Sequence, residues 1–351
     1  MKVALVHDWL VVDAGSEKVL KALSEIYPEA PIYTCVYNSK KVPYFKDKKV
    51  HTSFLQNFPK AKENPQIYLP LMLKAYEGFD FSKYDLVISS SHAFAKGIKT
   101  SQKTLHICYC HYPLRYVWEP DIDPRLSTNI ILILIRNYLK KPDLKASQRP
   151  NMFIANSKNT ALKIKKHYKR EAVVIYPPVD IDRFKPSMSP SKDYFLLASR
   201  LVYYKNPQLV IKVFNKLGIR LKVVGSGPEK NKLRKLANKN IQFLGRVSDN
   251  DLVKLYANCK ALIFPGEEDF GIMPVEVMAS GRPILALEKG GVKESVIKGK
   301  CGDFFKDNTE NSLQESLKKF DFNKYKKEDL INRSEDFSEK RFKNNIEKFI
   351  E

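Results

Sequence analysis

The chain has 351 residues, of which 43% are hydrophobic and 28% charged, a composition typical of globular proteins. This length predicts about two domains, and 14 glycines with 20 prolines exclude a collagen-like or low-complexity chain. Lys and Arg (61) outnumber Asp and Glu (39) by 22, which favours nucleic acid, a phosphorylated small molecule or a membrane surface as an anionic partner. The five cysteines, an odd number, argue against a disulfide framework and favour a reducing compartment.

Short β-branched runs alternate with helical patterns along the whole chain. The predicted strands are residues 3–6, 85–89, 105–108, 152–155, 173–176, 194–198, 221–224, 241–244, 261–264 and 284–286. The predicted helices are residues 17–26, 158–168, 207–217, 229–237, 249–257 and 272–280. Most strand segments are continuously apolar, which indicates burial on both faces. With the intervening helices, this predicts an α/β protein with parallel, doubly wound sheets.

An aperiodic segment rich in Pro and Ser interrupts the alternation, and it predicts a linker at residues 180–192. The predicted domains are residues 1–182, with a C-terminal helix at about 337–351 packing back on them, and residues 193–336. In doubly wound sheets, ligands bind beyond the carboxyl ends of the strands. The loops after strands, and a cleft between two such domains, are therefore the predicted binding regions.

An acidic loop that contains glycine follows the predicted strand at 261–264 and leads into a short helix. Pro274 suits the first turn of this helix, and Gly281 suits its C-terminal cap. The N-terminus of such a helix attracts phosphate. Glu268 in the loop and Glu276 in the helix are predicted to make two different contacts with one extended ligand.

Two further strand-to-helix loops carry candidate ligand-binding residues. Arg200 and Lys205 follow the predicted strand at 194–198, where a guanidinium and an ammonium group can bind phosphate oxygens. Gly15 follows the strand at 3–6, and a glycine there lets a ligand approach the backbone at the start of a helix.

Three other patterns are predicted to have no ligand. Residues 225–227 lack the third glycine of a dinucleotide fingerprint and predict a turn. Asp121 and Asp123 have the spacing of a metal pair but precede a proline with no strand before them, and they also predict a turn. His106, Cys108 and Cys110 share a strand face, but no second cysteine pair completes a zinc site.

His111 lies in the loop after the strand at 105–108 and is the candidate there for a substrate contact. Taken together, these segments resemble the retaining enzymes of glycosyltransferase family 4, which have the two-domain GT-B fold. The resemblance rests on Glu268-x7-Glu276 with Phe270 and Gly271 inside it, on Arg200 with Lys205, and on Gly15. Relatives often show two glycines in the first loop, and Ala14 replaces the first of them here.

Residues 107–111, 176–180 and 264–271 resemble a subgroup of bacterial mannosyltransferases that build lipopolysaccharide O-antigen or other surface polysaccharide. This resemblance implies transfer of a sugar, by best guess mannose from GDP-mannose, to a glycan or lipid-linked acceptor. Retention at the anomeric carbon, no metal and no other cofactor are also implied.

The resemblance further implies a role for each matching residue. Arg200 and Lys205 neutralise the leaving diphosphate, and Glu276 binds the ribose hydroxyls. Glu268 holds a hydroxyl of the donor sugar, and His111 reaches that sugar from the other domain. The remaining residues expected at the donor are Gly15, Phe270, Gly271, Ile272 and Met273.

Alternatives remain open at this stage. Within enzymes they are a glycosyltransferase that uses a UDP-sugar and a sugar-nucleotide epimerase of the same fold. Outside enzymes the alternative is a basic nucleic-acid-binding protein, although such modules usually cluster their charge and here it is spread along the chain.

The expected location is cytoplasmic, because no long apolar segment or signal peptide is evident. The basic segment 158–170 is either a solvated helix face or a peripheral contact with the anionic inner face of the plasma membrane.

Overall fold

The computed structural model describes residues 1–119, 130–185 and 193–351. The chain forms two α/β units: unit 1 comprises residues 1–178 and 342–351, and unit 2 comprises residues 179–341. The turn predicted at Asp121 and Asp123, and residues 186–192 of the predicted linker, lie outside the described residues.

Unit 1 is built around a seven-stranded parallel sheet. Its strands are β1 (Val3–His7), β2 (Ile32–Thr34), β3 (Val50–Thr52), β4 (Leu86–Ser91), β5 (Leu105–Cys110), β6 (Met152–Ala155) and β7 (Val173–Val174). The spatial order is β3-β2-β1-β4-β5-β6-β7. The chain therefore winds outward in opposite directions from β1 and β4, and the switch point of the sheet lies between these two strands.

Helices cover both faces of this sheet. They are α1 (Gly15–Ile26), α2 (Leu69–Glu77), α3 (Arg115–Trp118), α4 (Ile130–Ser147) and α5 (Lys158–Tyr168). On one face, Leu5 of β1 packs in a core with Leu23 of α1; on the other, Val87 of β4 packs in a core with Met72 of α2. Adjacent residues of a strand point to opposite faces, so continuously apolar strands suit a sheet covered on both sides.

Unit 2 is built around a six-stranded parallel sheet. Its strands are β8 (Phe195–Ala198), β9 (Leu221–Val224), β10 (Ile241–Gly245), β11 (Leu262–Phe264), β12 (Ile284–Leu287) and β13 (Gly302–Phe305). The spatial order is β10-β9-β8-β11-β12-β13, which places the switch point between β8 and β11.

The helices of unit 2 alternate with these strands. They are α6 (Pro207–Leu217), α7 (Lys230–Leu236), α8 (Asp249–Asn258), α9 (Ile272–Ala279), α10 (Val292–Ser295), α11 (Glu310–Lys319) and α12 (Lys327–Glu335). Pro207 opens α6, where its missing N–H costs no hydrogen bond, and Gly218 ends it at φ +66°.

A last helix, α13 (Glu339–Ile350), completes the core of unit 1. Phe342 and Ile346 are buried in the same hydrophobic cluster as Leu5 and Leu23. The Lys343 ammonium lies 2.6 Å from the Glu25 carboxylate of α1. The unit is therefore assembled from two stretches of chain that are separated in sequence by all of unit 2.

The predicted α/β class with parallel sheets is confirmed, and each predicted strand has a counterpart. The elements that the sequence pattern did not indicate are short strands, β2 and β3 with three residues each and β13 with four, and several helices. Helix α4 is the longest of these. It begins with six consecutive apolar residues, 130–135, which are too few to span a bilayer.

One buried carboxylate fixes α4 to its surroundings. Asp143 Oδ1 lies 2.6 Å from the Lys96 ammonium, and both side chains are buried. The other oxygen accepts hydrogen bonds from Trp118 Nε1 at 2.7 Å and from the Tyr168 hydroxyl at 2.8 Å. Burial lowers the pKa of Lys96, but the charge of Asp143 outweighs it and the net shift is upward, so the pair is ionic.

Replacing Asp143 by Ala should lower the free energy of unfolding by about 3–5 kcal/mol, because the buried Lys96 ammonium loses its counter-ion. The double variant Lys96→Met/Asp143→Leu, which leaves no buried charge, should recover a large part of that loss. Urea unfolding followed by circular dichroism measures both. An Asp143→Ala variant as stable as the wild type would contradict the anchoring role.

Candidate active site

The predicted ligand-binding residues of unit 2 lie at the switch point of its sheet. Arg200 and Lys205 belong to the loop after β8, and Glu268 belongs to the loop after β11. These strands are neighbours and parallel, so their carboxyl ends meet at one edge of the sheet. In open α/β sheets this edge is where ligands bind.

The two loops are joined by an ion pair. The Lys205 ammonium lies 2.7 Å from Glu268 Oε1, with the side chains 18% and 26% exposed. Gly266 permits the approach, because a Cβ there would lie only 3.1 Å from Lys205 Cα. Asn206 Nδ2 also donates to the Pro265 carbonyl at 3.3 Å. The pair is accessible enough to meet a ligand, and any anion that binds Lys205 must compete with Glu268.

Arg200 is exposed, and a glycine turn shapes the backbone beside it. A Cβ on Gly225 would collide with the Ser199 carbonyl, and one on Gly227 would collide with the Leu201 carbonyl. The Leu201 N–H donates to the Ser226 carbonyl at 3.0 Å. The segment 225–227, which sequence reasoning assigned to a simple turn, therefore supports the loop that presents Arg200.

Helix α9 begins at Ile272, after Gly271 with φ +85°. Ile272 and Met273 are half-buried, whereas Phe270 is buried and packs against Phe337 with ring centroids 5.3 Å apart. Phe270 therefore fixes the loop from inside the unit, and the backbone of Gly271–Met273 remains the candidate ligand contact.

Glu276 lies in the middle of α9 and is almost fully buried. The Tyr256 hydroxyl donates to its Oε2 at 3.3 Å. Burial, and then the charge of Glu276, raise the pKa of Tyr256 well above its ordinary value, so the hydroxyl keeps its proton and remains a donor. This contact holds one carboxylate oxygen in place.

A second pair of glycines, not anticipated from the sequence, supports the acidic loop. Gly290 has φ +73°, and a Cβ on it would collide with the Glu268 carbonyl. A Cβ on Gly291 would collide with the Asp269 carbonyl, and the Gly291 N–H donates to the Glu268 carbonyl at 2.8 Å. The available signal was the Gly-Gly dipeptide shortly after the predicted strand at 284–286.

In unit 1 the switch point is organised by Asp8, directly after β1. Its buried carboxylate accepts four backbone N–H bonds of 2.6–2.8 Å from the loop after β4, given by His92, Ala93, Phe94 and Ala95. Burial would raise the pKa of Asp8, but His92, His7 and these N–H groups outweigh it, and the pKa lies below its ordinary value. The carboxylate is therefore ionised and fixes the loop.

A chain of polar groups leads from α1 to His111. Glu17 Oε1 lies 3.6 Å from His7 Nε2; His7 Nδ1 lies 3.1 Å from Ser90 Oγ, which lies 2.7 Å from His111 Nε2. Ser90 has one hydroxyl proton, so it donates to one ring and accepts from the other. The proton on His7 Nδ1 and the tautomer of His111 are thereby coupled.

His111 is thus placed at the end of β5, in a cluster with two histidines that the sequence analysis had not selected. Its ring centroid lies 6.5 Å from that of His7 and 6.3 Å from that of His92. Burial, followed by the charges of His92 and His7, holds the pKa of His111 well below its ordinary value. A neutral imidazole can both donate and accept a hydrogen bond.

Gly15 is the first residue of α1, beside this cluster. The preceding Ala14 N–H donates to Glu17 Oε2 at 3.2 Å, while the other oxygen of Glu17 faces His7. Burial would raise the pKa of Glu17, but His7 outweighs it and the pKa is lowered. Glu17 therefore connects the start of α1 to the histidine cluster.

No group of three His, Cys, Asp or Glu side chains in the described parts of the chain could hold a metal ion. His106 is buried on β5, with Nε2 2.8 Å from Ser89 Oγ, and burial lowers its pKa to about 3. Among residues 1–119, 130–185 and 193–351, no helix is long and apolar enough to cross a bilayer.

Comparison with known proteins shows similarity to glycosyltransferases. Residues 178–337 match the family "Glycosyl transferases group 1".

An uncharacterized glycosyltransferase of Methanocaldococcus jannaschii is 28% identical over 202 residues, 56% of each chain. An α-1,3/1,6-mannosyltransferase of Dictyostelium discoideum is 25% identical over 278 residues, 64% of each. A D-rhamnosyltransferase of Pseudomonas aeruginosa is 27% identical over 198 residues, 52% of this chain and 50% of that one. The chain thus spans about half to two thirds of these relatives.

Solved structures match over the full length. Anabaena HepE in complex with UDP and glucose has a TM-score of 0.72 at 18% identity, covering 100% of this chain and 99% of that one. Sucrose-phosphate synthase from Thermosynechococcus elongatus has a TM-score of 0.76 at 14% identity, covering 100% and 98%. The predicted fold, with two doubly wound Rossmann-like units of the GT-B type, is confirmed.

The histidine cluster should make stability depend on pH. Folded His111 stays neutral below the usual pKa of 6.5, whereas the unfolded chain takes up a proton there, so the free energy of unfolding falls as pH is lowered. His111→Gln should make this fall shallower by up to about 1.4 kcal/mol per pH unit below about pH 6.5. Urea unfolding at a series of pH values measures the slope, and comparing slopes removes any pH-independent cost of the substitution. An unchanged slope would show that His111 takes up its proton over the same pH range in the folded and the unfolded chain.

Proposed function

We propose that the protein transfers a glycosyl group from a nucleoside diphosphate sugar to an acceptor hydroxyl, with retention at the anomeric carbon. The observation that carries the proposal is that the accessible Lys205–Glu268 pair and the exposed Arg200 lie in loops at the same switch-point edge of unit 2. This part of the chain lies within the segment that matches the group 1 glycosyl transferases.

Unit 2 supplies the groups that a sugar nucleotide requires. Arg200 and Lys205 bring two positive charges to one edge of the sheet, where they would stabilise the charge that develops on the departing diphosphate. The backbone of Gly271–Met273 at the start of α9 would donate further hydrogen bonds to it. Glu276, with one oxygen held by Tyr256, would accept hydrogen bonds from the ribose hydroxyls.

The Lys205–Glu268 pair would exchange partners when the donor binds. Without donor, each group neutralises the other across 2.7 Å. A diphosphate oxygen that binds Lys205 would release Glu268 to accept a hydrogen bond from a sugar hydroxyl. The donor would then replace one ion pair by two contacts, so neither partly buried charge is left without a partner.

Unit 1 is assigned a separate role. Its neutral His111, oriented by Ser90, would hydrogen-bond to the transferred sugar, and Gly15 would leave the start of α1 open to the substrate. No enzyme nucleophile is invoked. The acceptor hydroxyl would attack the anomeric carbon on the face from which the diphosphate leaves, and its proton would pass to the departing diphosphate oxygen. We propose that Arg200 and Lys205 take the place of a metal ion in this reaction.

The proposed donor is GDP-mannose and the proposed acceptor a glycan or a lipid-linked glycan of surface polysaccharide. Support comes from the mannosyltransferase of D. discoideum and from an O-antigen chain mannosyltransferase of Escherichia coli, 28% identical over 105 residues. A UDP-sugar is the second candidate, because HepE was solved with UDP and glucose.

Arg200→Ala should lower the turnover of GDP-mannose by about 10²–10³-fold, the usual effect of losing one group that stabilises transition-state charge. Release of GDP in the presence of acceptor measures this effect. Arg220, a basic residue of unit 2 whose guanidinium lies 3.8 Å from Asp193, provides a control: Arg220→Ala should keep wild-type activity.

UDP-glucose, UDP-N-acetylglucosamine and ADP-glucose form the comparison set for that measurement. The true donor should raise the melting temperature of the wild-type protein most, because a ligand that binds only the folded state stabilises it. Near-normal activity of Arg200→Ala with every donor would refute its assignment to the diphosphate.

The two glutamates should differ in what they bind. Glu276→Gln should weaken binding of the free nucleoside diphosphate, since its contact is with the ribose. Glu268→Gln should leave that affinity unchanged or raise it, since Lys205 loses its competitor, and should lower sugar transfer. Calorimetric titration with GDP and with UDP separates the two cases. Equal losses of diphosphate affinity in both variants would contradict this division of roles.

A further inference from the structure

Helix α4 presents an apolar side to the solvent. Ile130, Leu134 and Tyr138 are 72%, 65% and 63% exposed. Their spacing of four residues places them along one side of the helix over its first nine residues. Single exposed apolar residues are common, but a row of large ones on one helix marks an interaction surface.

The opposite side of α4 is fixed in unit 1, so the exposed side is not free to turn inward. Leu139 and Ala146 belong to the hydrophobic core that contains Met72 of α2. Asp143, between them, binds Lys96, Trp118 and Tyr168. The packing of the helix therefore determines which side chains face outward.

The exposed side becomes basic in the last two turns. Lys141 and Lys145, seven residues after Leu134 and Tyr138, are exposed on the same side of the helix, and Asp143 is the only carboxylate between residues 130 and 147. Because that carboxylate is buried and paired with Lys96, it does not offset the lysines at the surface. The outward surface of α4 thus joins an apolar row to a group of positive charges.

Helix α5 belongs to the basic segment 158–170, for which the sequence left open a solvated helix face or a membrane contact, and the structure makes it less suited to membrane binding. Lys163 is only 15% exposed, lies 3.2 Å from Glu119 and donates to the Tyr112 hydroxyl at 2.8 Å. Lys165 lies 2.7 Å from Glu171. Arg170, just after the helix, donates to the Pro150 carbonyl at 2.8 Å. Three of the basic groups in this segment are thus engaged within unit 1.

We infer that the outward surface of α4, formed by Ile130, Leu134, Tyr138, Lys141 and Lys145, binds an anionic lipid bilayer. A helix of this kind lies in the interface, with its apolar side chains at the boundary of headgroups and acyl chains and its lysines at lipid phosphates. Tyrosine is enriched at this interface between membrane and water. Nine residues of helix extend about 13 Å, too short to span the hydrocarbon core, so the contact is peripheral and reversible.

Charge favours a lipid surface over a second copy of the chain. A copy carries the same net charge of +22 and would bring its own Lys141 and Lys145 to the contact. Anionic lipid headgroups have the opposite charge to these lysines. The inference rests on α4 alone and is independent of the proposed function.

Sedimentation with phosphatidylcholine vesicles, with and without phosphatidylglycerol, tests the inference. The wild-type protein should sediment only with the anionic vesicles, and 1 M salt should release most of it, because the Debye length falls from about 10 Å at 0.1 M to about 3 Å. Leu134→Ser/Tyr138→Ser should reduce the vesicle-bound to free ratio at least about tenfold, since two apolar side chains no longer enter the interface.

Leu162 provides a matched control, since it is 68% exposed on α5. Leu162→Ser should bind vesicles like the wild type. Lys141→Gln/Lys145→Gln should weaken binding, whereas Lys166→Gln/Lys169→Gln, a basic pair on and just after α5, should not. Melting temperatures measured without vesicles should agree among all variants, because every changed side chain is exposed.

Three outcomes would overturn the inference. The first is binding by Leu134→Ser/Tyr138→Ser as strong as that of the wild type. The second is a loss of binding in Leu162→Ser equal to the loss in that double variant. The third is a wild-type protein that does not bind anionic vesicles and forms a concentration-dependent dimer that Leu134→Ser/Tyr138→Ser dissociates, which would assign the surface to a second copy of the chain.

Discussion

Four backbone N–H groups converge on the carboxylate of Asp8, and much of unit 1 depends on that arrangement. An ionised carboxylate buried without partners would be very costly, and here four charge-assisted hydrogen bonds compensate for its lost hydration. They hold the loop that carries His92 and leads to Lys96. Because Lys96 in turn binds Asp143, the order imposed at the switch point extends to α4.

Unit 2 positions the loops at its switch point in a different way. Its switch-point loops are held by backbone contacts that only glycine permits, with Gly225 and Gly227 beneath the Arg200 loop and Gly290 and Gly291 beneath Glu268. Three charged side chains at this edge therefore stay at least partly accessible to a ligand. Arg200 is exposed, and Lys205 and Glu268 share a contact that a ligand can exchange. In unit 1, by contrast, Asp8 and Glu17 are themselves part of the scaffold.

The sequence predicted those features that depend on local pattern. Continuous apolar runs identified the strands, and the position of Arg200, Lys205 and Glu268 after strands placed them at one sheet edge. The direct pairing of Lys205 with Glu268 depends on how two loops pack, which no local pattern encodes. His7 and Ser90 were missed for a similar reason, since 83 residues separate these hydrogen-bonded partners. Helix α4 was missed because large apolar residues on its exposed side obscure the usual amphipathic pattern.

The return of α13 to unit 1 has a consequence for the order of events during synthesis. Unit 2 is one continuous stretch, residues 179–341. The hydrophobic cluster of unit 1 that contains Leu5 and Leu23 also includes Phe342 and Ile346. As the ribosome extends the chain, all of unit 2 has been made before these two side chains exist. Until residues 342–346 have been synthesised, residues 1–178 must therefore leave part of their apolar surface uncovered. In this chain the unit that begins first is the one that is completed last.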